Sequence, residues 1–164
     1  MKIKNLDFKT IDLEKHGDLC VTFRKDAYIV SFGSDKNFYE HNGKGVERYL
    51  EDCRKRVKAN PASCVHVWKG NEIIGQVELE LWYKNPSVGY IDLFYLVPEY
   101  RGKGYGDVLE DYAESYFRKI GCRRLLLSVS PTNIQAVRFY KKHGWNDCGP
   151  RKDFPEVNYM EKNL

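Results

Sequence analysis

A chain of 164 residues, 42% hydrophobic and 30% charged, can bury one substantial core and is too short for two, so a single domain over residues 1–164 is expected. A net charge of +4, with Lys and Arg scattered among the acids, does not point to nucleic-acid binding. Cys20, Cys53, Cys64, Cys122 and Cys148 make an odd set without a Cys-x-x-Cys pair, which argues against a disulfide framework and against a metal site. No eighteen apolar residues run together and the first residues carry no apolar leader, so a cytoplasmic protein with no membrane partner is expected.

In chain order, Ile3 to Ile11 reads as a strand and Leu13 to Phe32 as a helix or two short ones. Ser31 to Lys44, rich in Gly, Ser, Asn and Asp, reads as a loop. Val46, Leu50, Cys53 and Val57 then fall on one face of a helix that Pro61 stops. Cys64 to Trp68 and Ile73 to Leu81 form a predicted hairpin around Gly70-Asn71, with Val77, Leu79 and Leu81 alternating with Glu78 and Glu80. A turn at Asn85-Pro86-Ser87 leads to Tyr90–Val97, a nearly continuous apolar run suited to a central strand, broken only by Asp92.

Arg101-Gly102-Lys103-Gly104-Tyr105-Gly106 follows that strand and precedes a helix whose apolar residues run from Tyr105 to Ile120, before Gly121. Alternate glycines let the main chain approach an anion, and the helix turns its positive end to the same place. Neither a Walker closure nor the Gly-x-Gly-x-x-Gly spacing is present, so nucleotide hydrolysis and hydride transfer lose ground. Arg124 to Val129 is a further buried strand, Pro131-Thr132-Asn133 opens a helix that Gly144 ends, and the tail holds two short strands around Gly149 to Pro155. The sum is an α/β domain with one main sheet, mostly antiparallel and flanked by helices.

Two segments carry a resemblance. Leu96-Val97-Pro98-Glu99-Tyr100-Arg101-Gly102-Lys103-Gly104-Tyr105-Gly106 looks like the cofactor-binding motif of the GNAT superfamily of N-acetyltransferases, and Asn133 to Trp145 looks like its second motif. The likeness is clear from about Ser63 to Trp145. It implies a GNAT-like fold in which the central strand splays from the next, parallel strand, with acetyl-CoA entering the gap. By the same resemblance Leu96 and Val97 bond the pantetheine arm through their main chain. The amides of Arg101, Gly102, Lys103, Gly104, Tyr105 and Gly106 hold the pyrophosphate, and Asn133 bonds the arm further along. Tyr140 takes the position of the general acid.

Acetyl transfer to an amine needs a proton taken from nitrogen and one available to the departing thiolate. Asp92 is the foremost base candidate, because a lone carboxylate in an apolar strand needs a partner or a water path. The family more often has Glu on this strand. Glu78 and Glu80 are further candidates, although alternating glutamates more often form the wet face of a strand. Arg138, Lys141 and Lys142 make a basic cluster; Lys142 is assigned to the cofactor's phosphates, and His143 is read as a helix end rather than a catalyst.

Phe23, Tyr28, Phe32, Phe38, Tyr39, Trp82, Tyr83 and Phe154 surround the expected acceptor region, with no spacing that names the amine. The partners expected are therefore acetyl-CoA and an amine, and a homodimer through a strand edge near the C-terminus is compatible with the sequence. The alternative is a catalytically silent acyl-CoA sensor.

Overall fold

The computed structural model describes residues 5–40 and 45–164. Ile3 and Lys4 of the expected first strand, and 41–44 of the expected loop, lie outside the described residues. Among the described residues seven strands form one sheet: β1 (Asp7–Thr10), β2 (Cys64–Lys69), β3 (Glu72–Trp82), β4 (Asn85–Leu96), β5 (Arg124–Val129), β6 (Asn146–Pro150) and β7 (Asn158–Asn163). Their order is β1-β2-β3-β4-β5-β7-β6. Every pairing is antiparallel except β4 with β5.

The helices are α1 (Leu13–Phe32), α2 (Lys36–Tyr39), α3 (Gly45–Ala59), α4 (Tyr105–Lys119) and α5 (Ile134–Lys142). On one face of the sheet, Cys20 and Tyr28 of α1 and Tyr49 and Cys53 of α3 pack with Cys64 of β2. On the other, Leu109, Ala113 and Phe117 of α4 pack with Val77, Leu79, Ile91, Leu125 and Leu127, and α5 adds Ala136, Val137 and Tyr140 at the margin. The contact with α4 is close: a Cβ on Gly89 would meet the Phe117 ring at 2.4 Å, so the strand carries no side chain there. Two facing layers over one sheet account for the alternation in the middle of β3, where Val77 and Leu79 meet the α4 cluster and Gln76 and Glu78 meet Tyr49 of α3.

Several boundaries differ from expectation. Asp12 caps α1 by accepting from the Lys15 amide, and the helix runs as one element with non-helical geometry only at His16. The segment read as a loop contains α2, whose Phe38 is fully buried. The turn after β3 falls on Tyr83-Lys84, ahead of Asn85-Pro86-Ser87, because Asn85 pairs with Trp82 and opens β4. Pro86 is tolerated so near a strand end, and the Asn85 Oδ1 atom accepts from the Ser87 amide and hydroxyl there.

Glu78 is only 2% exposed, so the expectation of a wet face fails there. Alternation alone does not reveal that α1 and α3 cover that side of the strand.

Candidate functional site

The β4–β5 ladder spans Val88 to Ile91 opposite Arg124 to Leu127 and stops there. Leu93 to Leu96 stay paired to β3, while Ser128 and Val129 stay paired to β7, so the sheet opens between its two central strands. The opening coincides with an irregularity. Glu78 lies opposite Leu93 and Leu79 opposite Ile91, which leaves Asp92 as the extra residue of a β-bulge. Across it the side-chain phase flips, with Ile91 in the core under α4 and Leu93 in the cluster with Phe23 of α1.

A cleft of about 520 Å³ occupies the opening; Asp92, Glu80, Tyr90, Ser128, Tyr140 and Tyr159 are among its walls. A second hollow of about 380 Å³ lies over the glycine loop, lined by Gly102, Gly104, Gly106, Gln135 and Lys142. Phe94, Leu96, Asn133 and Tyr140 border both, so the two form one continuous channel through the split sheet.

At the glycine end, Gly102 and Gly104 adopt positive φ of 71° and 84°, and at Gly102 no atom lies within 4 Å of where a Cβ would stand. Gly104 begins α4 with no side-chain cap, so the first-turn amides have no partner within the helix. An open row of donors at the positive end of a fifteen-residue helix fits an anionic diphosphate.

Gly106 serves a different purpose. A Cβ there would lie 2.8 Å from the Phe139 ring, which itself stacks on His143 at 4.1 Å. Gly106→Ala is expected to force α5 away from α4 and to lower the unfolding free energy by about 1–3 kcal/mol, read from a urea titration. An unchanged urea midpoint would show that Phe139 yields freely.

The Arg101 side chain is not turned to the hollow for phosphate binding. Its Nε donates to the Leu96 carbonyl at 2.8 Å and its Nη2 to Asp26 of α1 at 2.8 Å, and Asp26 also accepts from the Tyr95 hydroxyl. Although burial opposes it, these two donors hold the Asp26 carboxyl below the usual range. Arg101 thus anchors the loop to α1.

Val97 differs from expectation as well. Its amide donates to Ile74 and its carbonyl accepts from Tyr100, so its main chain is engaged within the protein. Strand alternation turns the groups of Phe94 and the amide of Leu96 to the open side instead, the Leu96 carbonyl being taken by Arg101. Asn133 caps α5 through Oδ1, which leaves its Nδ2 donor for the channel it lines. Lys103 packs near the Tyr100 ring at 6.0 Å, and Tyr105 meets the same ring.

In the wider cleft, Oδ2 of Asp92 is buried and makes no hydrogen bond, although Nη2 of Arg56 stands 3.2 Å away. Arg24 donates to the Asp92 carbonyl at 2.9 Å, which fixes the bulge from α1. Burial pushes the Asp92 carboxyl up to about 8; Arg56 and Arg24 oppose this, and Glu80 and Glu78 reinforce it. Three carboxylates share two guanidinium groups here, so one carboxyl is left short of compensation.

It is not Glu78. Burial disfavours its charge, but Arg24, Arg56 and hydrogen bonds from Tyr49 at 2.5 Å and Gln76 at 2.9 Å bring it below the ordinary range.

Tyr140 stands on the opposite wall, with its ring against Trp145 and Phe139. Its hydroxyl makes no hydrogen bond to any described residue. Burial, the negative Glu110 and Tyr90 push the phenol well above its usual value, so it retains its proton. His143 has both ring nitrogens engaged, by the Phe139 carbonyl at 2.8 Å and Asp107 at 2.9 Å. Of the aromatic set, Phe23 and Phe38 are core, whereas Tyr28, Phe32, Trp82 and Tyr83 line the cleft.

The model of the acetyltransferase (GNAT) family matches residues 24–145. The chain belongs to that family. This GNAT is 34% identical over 86 residues to the spermine/spermidine N(1)-acetyltransferase of Bacillus subtilis, a match covering 49% of this chain and 53% of that protein. Over 111 residues it is 28% identical to the mycothiol acetyltransferase of Corynebacterium glutamicum strain R, covering 66% of this chain and 37% of the other. The matches thus span about half or less of these relatives.

Among solved structures, the PaiA N-acetyltransferase of Thermoplasma acidophilum, in complex with coenzyme A, superposes with a TM-score of 0.72 at 18% identity, over 98% of this chain and 99% of that one. The spermidine N-acetyltransferase of Vibrio cholerae, in complex with CoA and spermine, gives 0.70 at 18% identity, over 96% and 95%. These likenesses show that this GNAT shares their fold: a mixed sheet with helices on both faces and a parallel central pair.

Arg24, Arg56, Arg151, Ser128 and Tyr159 line or support the cleft without having been singled out from the sequence. A signal for two of them exists: Arg24 follows the buried Cys20 by four residues and Arg56 follows the buried Cys53 by three, so each shares a buried helix face. Among the described residues no group of His, Cys, Asp or Glu is arranged to hold a metal ion, and no helix is long and apolar enough to cross a membrane.

Proposed function

We propose that this GNAT is a single-domain N-acetyltransferase that moves an acetyl group from acetyl-CoA to a primary amine of a small molecule or peptide. The observation that carries the reading is the pairing, across one channel, of an unbonded buried carboxylate oxygen on Asp92 with a protonated phenol on Tyr140. The names of the relatives, among them enzymes of spermine, and the CoA present in solved neighbours support it.

Acetyl-CoA, when bound, supplies an electrophilic thioester carbonyl and a thiolate leaving group. Amides from Gly102 to Gly106 hold its diphosphate, the expected Arg101 amide being donated to the Pro98 carbonyl instead, Lys142 adds positive charge there, and Leu96 and Asn133 bond the arm within the split. Val97 shapes that split by its bond to Ile74. Asp92 takes the ammonium proton at Oδ2 and so frees the nitrogen lone pair for direct attack. Tyr140 keeps a proton at Oη for the departing sulfur. No cysteine or serine nucleophile is required, and no acyl-enzyme forms.

The test is release of CoA thiol from acetyl-CoA in the presence of a panel of amines that includes spermine, an aminoglycoside, free amino acids and a peptide with a free α-amine. Thiol release matched by an acetylated amine is expected. Tight acetyl-CoA binding with no release from any member would contradict the enzyme reading and favour a sensor.

A further inference from the structure

Arg56 reaches from α3 to three carboxylates on the sheet face. Its Nη1 lies 3.5 Å from Glu78 Oε1, and its Nη2 lies 3.3 Å from Glu80 Oε2 and 3.2 Å from Asp92 Oδ2. The contacts with the glutamates are hydrogen bonds, whereas Asp92 Oδ2 receives none. Two effects that usually travel together are thereby separated. Asp92 feels the positive charge at close range, yet its Oδ2, a buried atom of a residue that lines the cleft, accepts no hydrogen bond.

We propose that Arg56 is a positioning residue that holds Asp92 by charge while giving its hydrogens to Glu78 and Glu80, so that Oδ2 stays unbonded and able to take a proton. This rests on the reading of Asp92 as the base. Were Arg56 to bond Oδ2 directly, the carboxylate would be stabilised and occupied at once, and it would be a poor proton acceptor. Glu80 acts as the counterweight, because it takes the hydrogen bond of Nη2 although Asp92 Oδ2 lies as near. At 44% side-chain exposure it can be altered with little effect on the core.

The groups that face Asp92 are Arg24 from α1, Arg56 from α3, Glu78 and Glu80 from β3, and Tyr90 from its own strand, with Tyr49 of α3 bonded to Glu78 behind them. Arg24 engages the backbone carbonyl of Asp92 rather than its carboxyl. Of the two cations, Arg56 is therefore the one placed to set the ionisation of the side chain.

The experiment is a carboxyl carbon NMR titration of the full chain labelled at aspartate, with Asp92→Asn identifying the Asp92 signal; it needs neither acetyl-CoA nor an acceptor. Arg56→Gln is expected to move the Asp92 midpoint up by roughly 1 to 3 pH units, because a cation that favours the carboxylate is lost. Arg56→Lys, which keeps the charge, restores much of that shift. Glu80→Gln moves the midpoint down, since a repelling charge is removed and Nη2 is released to Asp92.

An unmoved midpoint in folded Arg56→Gln overturns the proposal. Should that variant fail to fold, Glu80→Gln decides, and an unmoved or raised midpoint overturns it. The base reading fails separately, if the acid limb of kcat/KM survives in Asp92→Asn while the midpoints still move.

Discussion

Tyr140→Phe is expected to lower kcat for CoA release about a hundredfold at saturating amine, within the range that loss of a general acid produces, and to leave the Kd for CoA unchanged. The substitution removes one oxygen and keeps the ring, so the contacts with Trp145 and Phe139 survive. Because the hydroxyl bonds to no described residue, its loss leaves no buried partner unsatisfied and stability changes little. A core tyrosine without chemistry would give the same stability result with unchanged turnover. The two roles therefore separate on kcat alone, measured by thiol release beside calorimetric CoA binding.

Asp92→Asn is expected to lower kcat/KM about a hundredfold at pH 8 and above, and also to change the shape of the pH profile. A base must be ionised to act, and burial holds the Asp92 carboxyl up to about 8. In the wild type kcat/KM therefore rises with pH through about 8, as the carboxyl loses its proton. Asparagine does not titrate, so that limb disappears and only the rise set by the amine's own ionisation remains. Retention of the limb would assign the proton transfer to another group, with Glu80 next in line as the exposed carboxylate of the same cleft.

Much of the frame was legible in the sequence because it depends on local pattern. Gly70-Asn71 lies between β2 and β3 as the hairpin signal required, and the helical spacing before Gly121 and Gly144 located α4 and α5. The glycine loop was legible for the same reason, since positive φ at Gly102 and Gly104 is a property of the residue type. Pro86 misled because the residue that commonly marks a turn can also sit near the start of a strand.

What was not legible depends on contacts far apart in sequence. The bulge at Asp92 arises from the register of β4 against β3, and no feature of Tyr90–Val97 announces it. Glu78 and Glu80 look alike along β3, yet one is enclosed by Tyr49, Gln76 and Arg56 and the other reaches solvent. Arg56 looks like one more charge in a helix until α3 is laid over the sheet. The sequence motifs name the cofactor end of the channel, whereas the acceptor end is assembled by packing, with Tyr90 joined to Ser128 at 2.6 Å and Arg151 joined to the same hydroxyl.

The most direct measurement is a crystal structure of the full chain grown with CoA. The diphosphate is expected on the main-chain amides from Gly102 to Gly106, the pantetheine arm in the split between β4 and β5 beside Leu96 and Asn133, and the sulfur within hydrogen-bonding reach of the Tyr140 hydroxyl. A sulfur that ends away from Tyr140, or a diphosphate bound elsewhere on the chain, would contradict it.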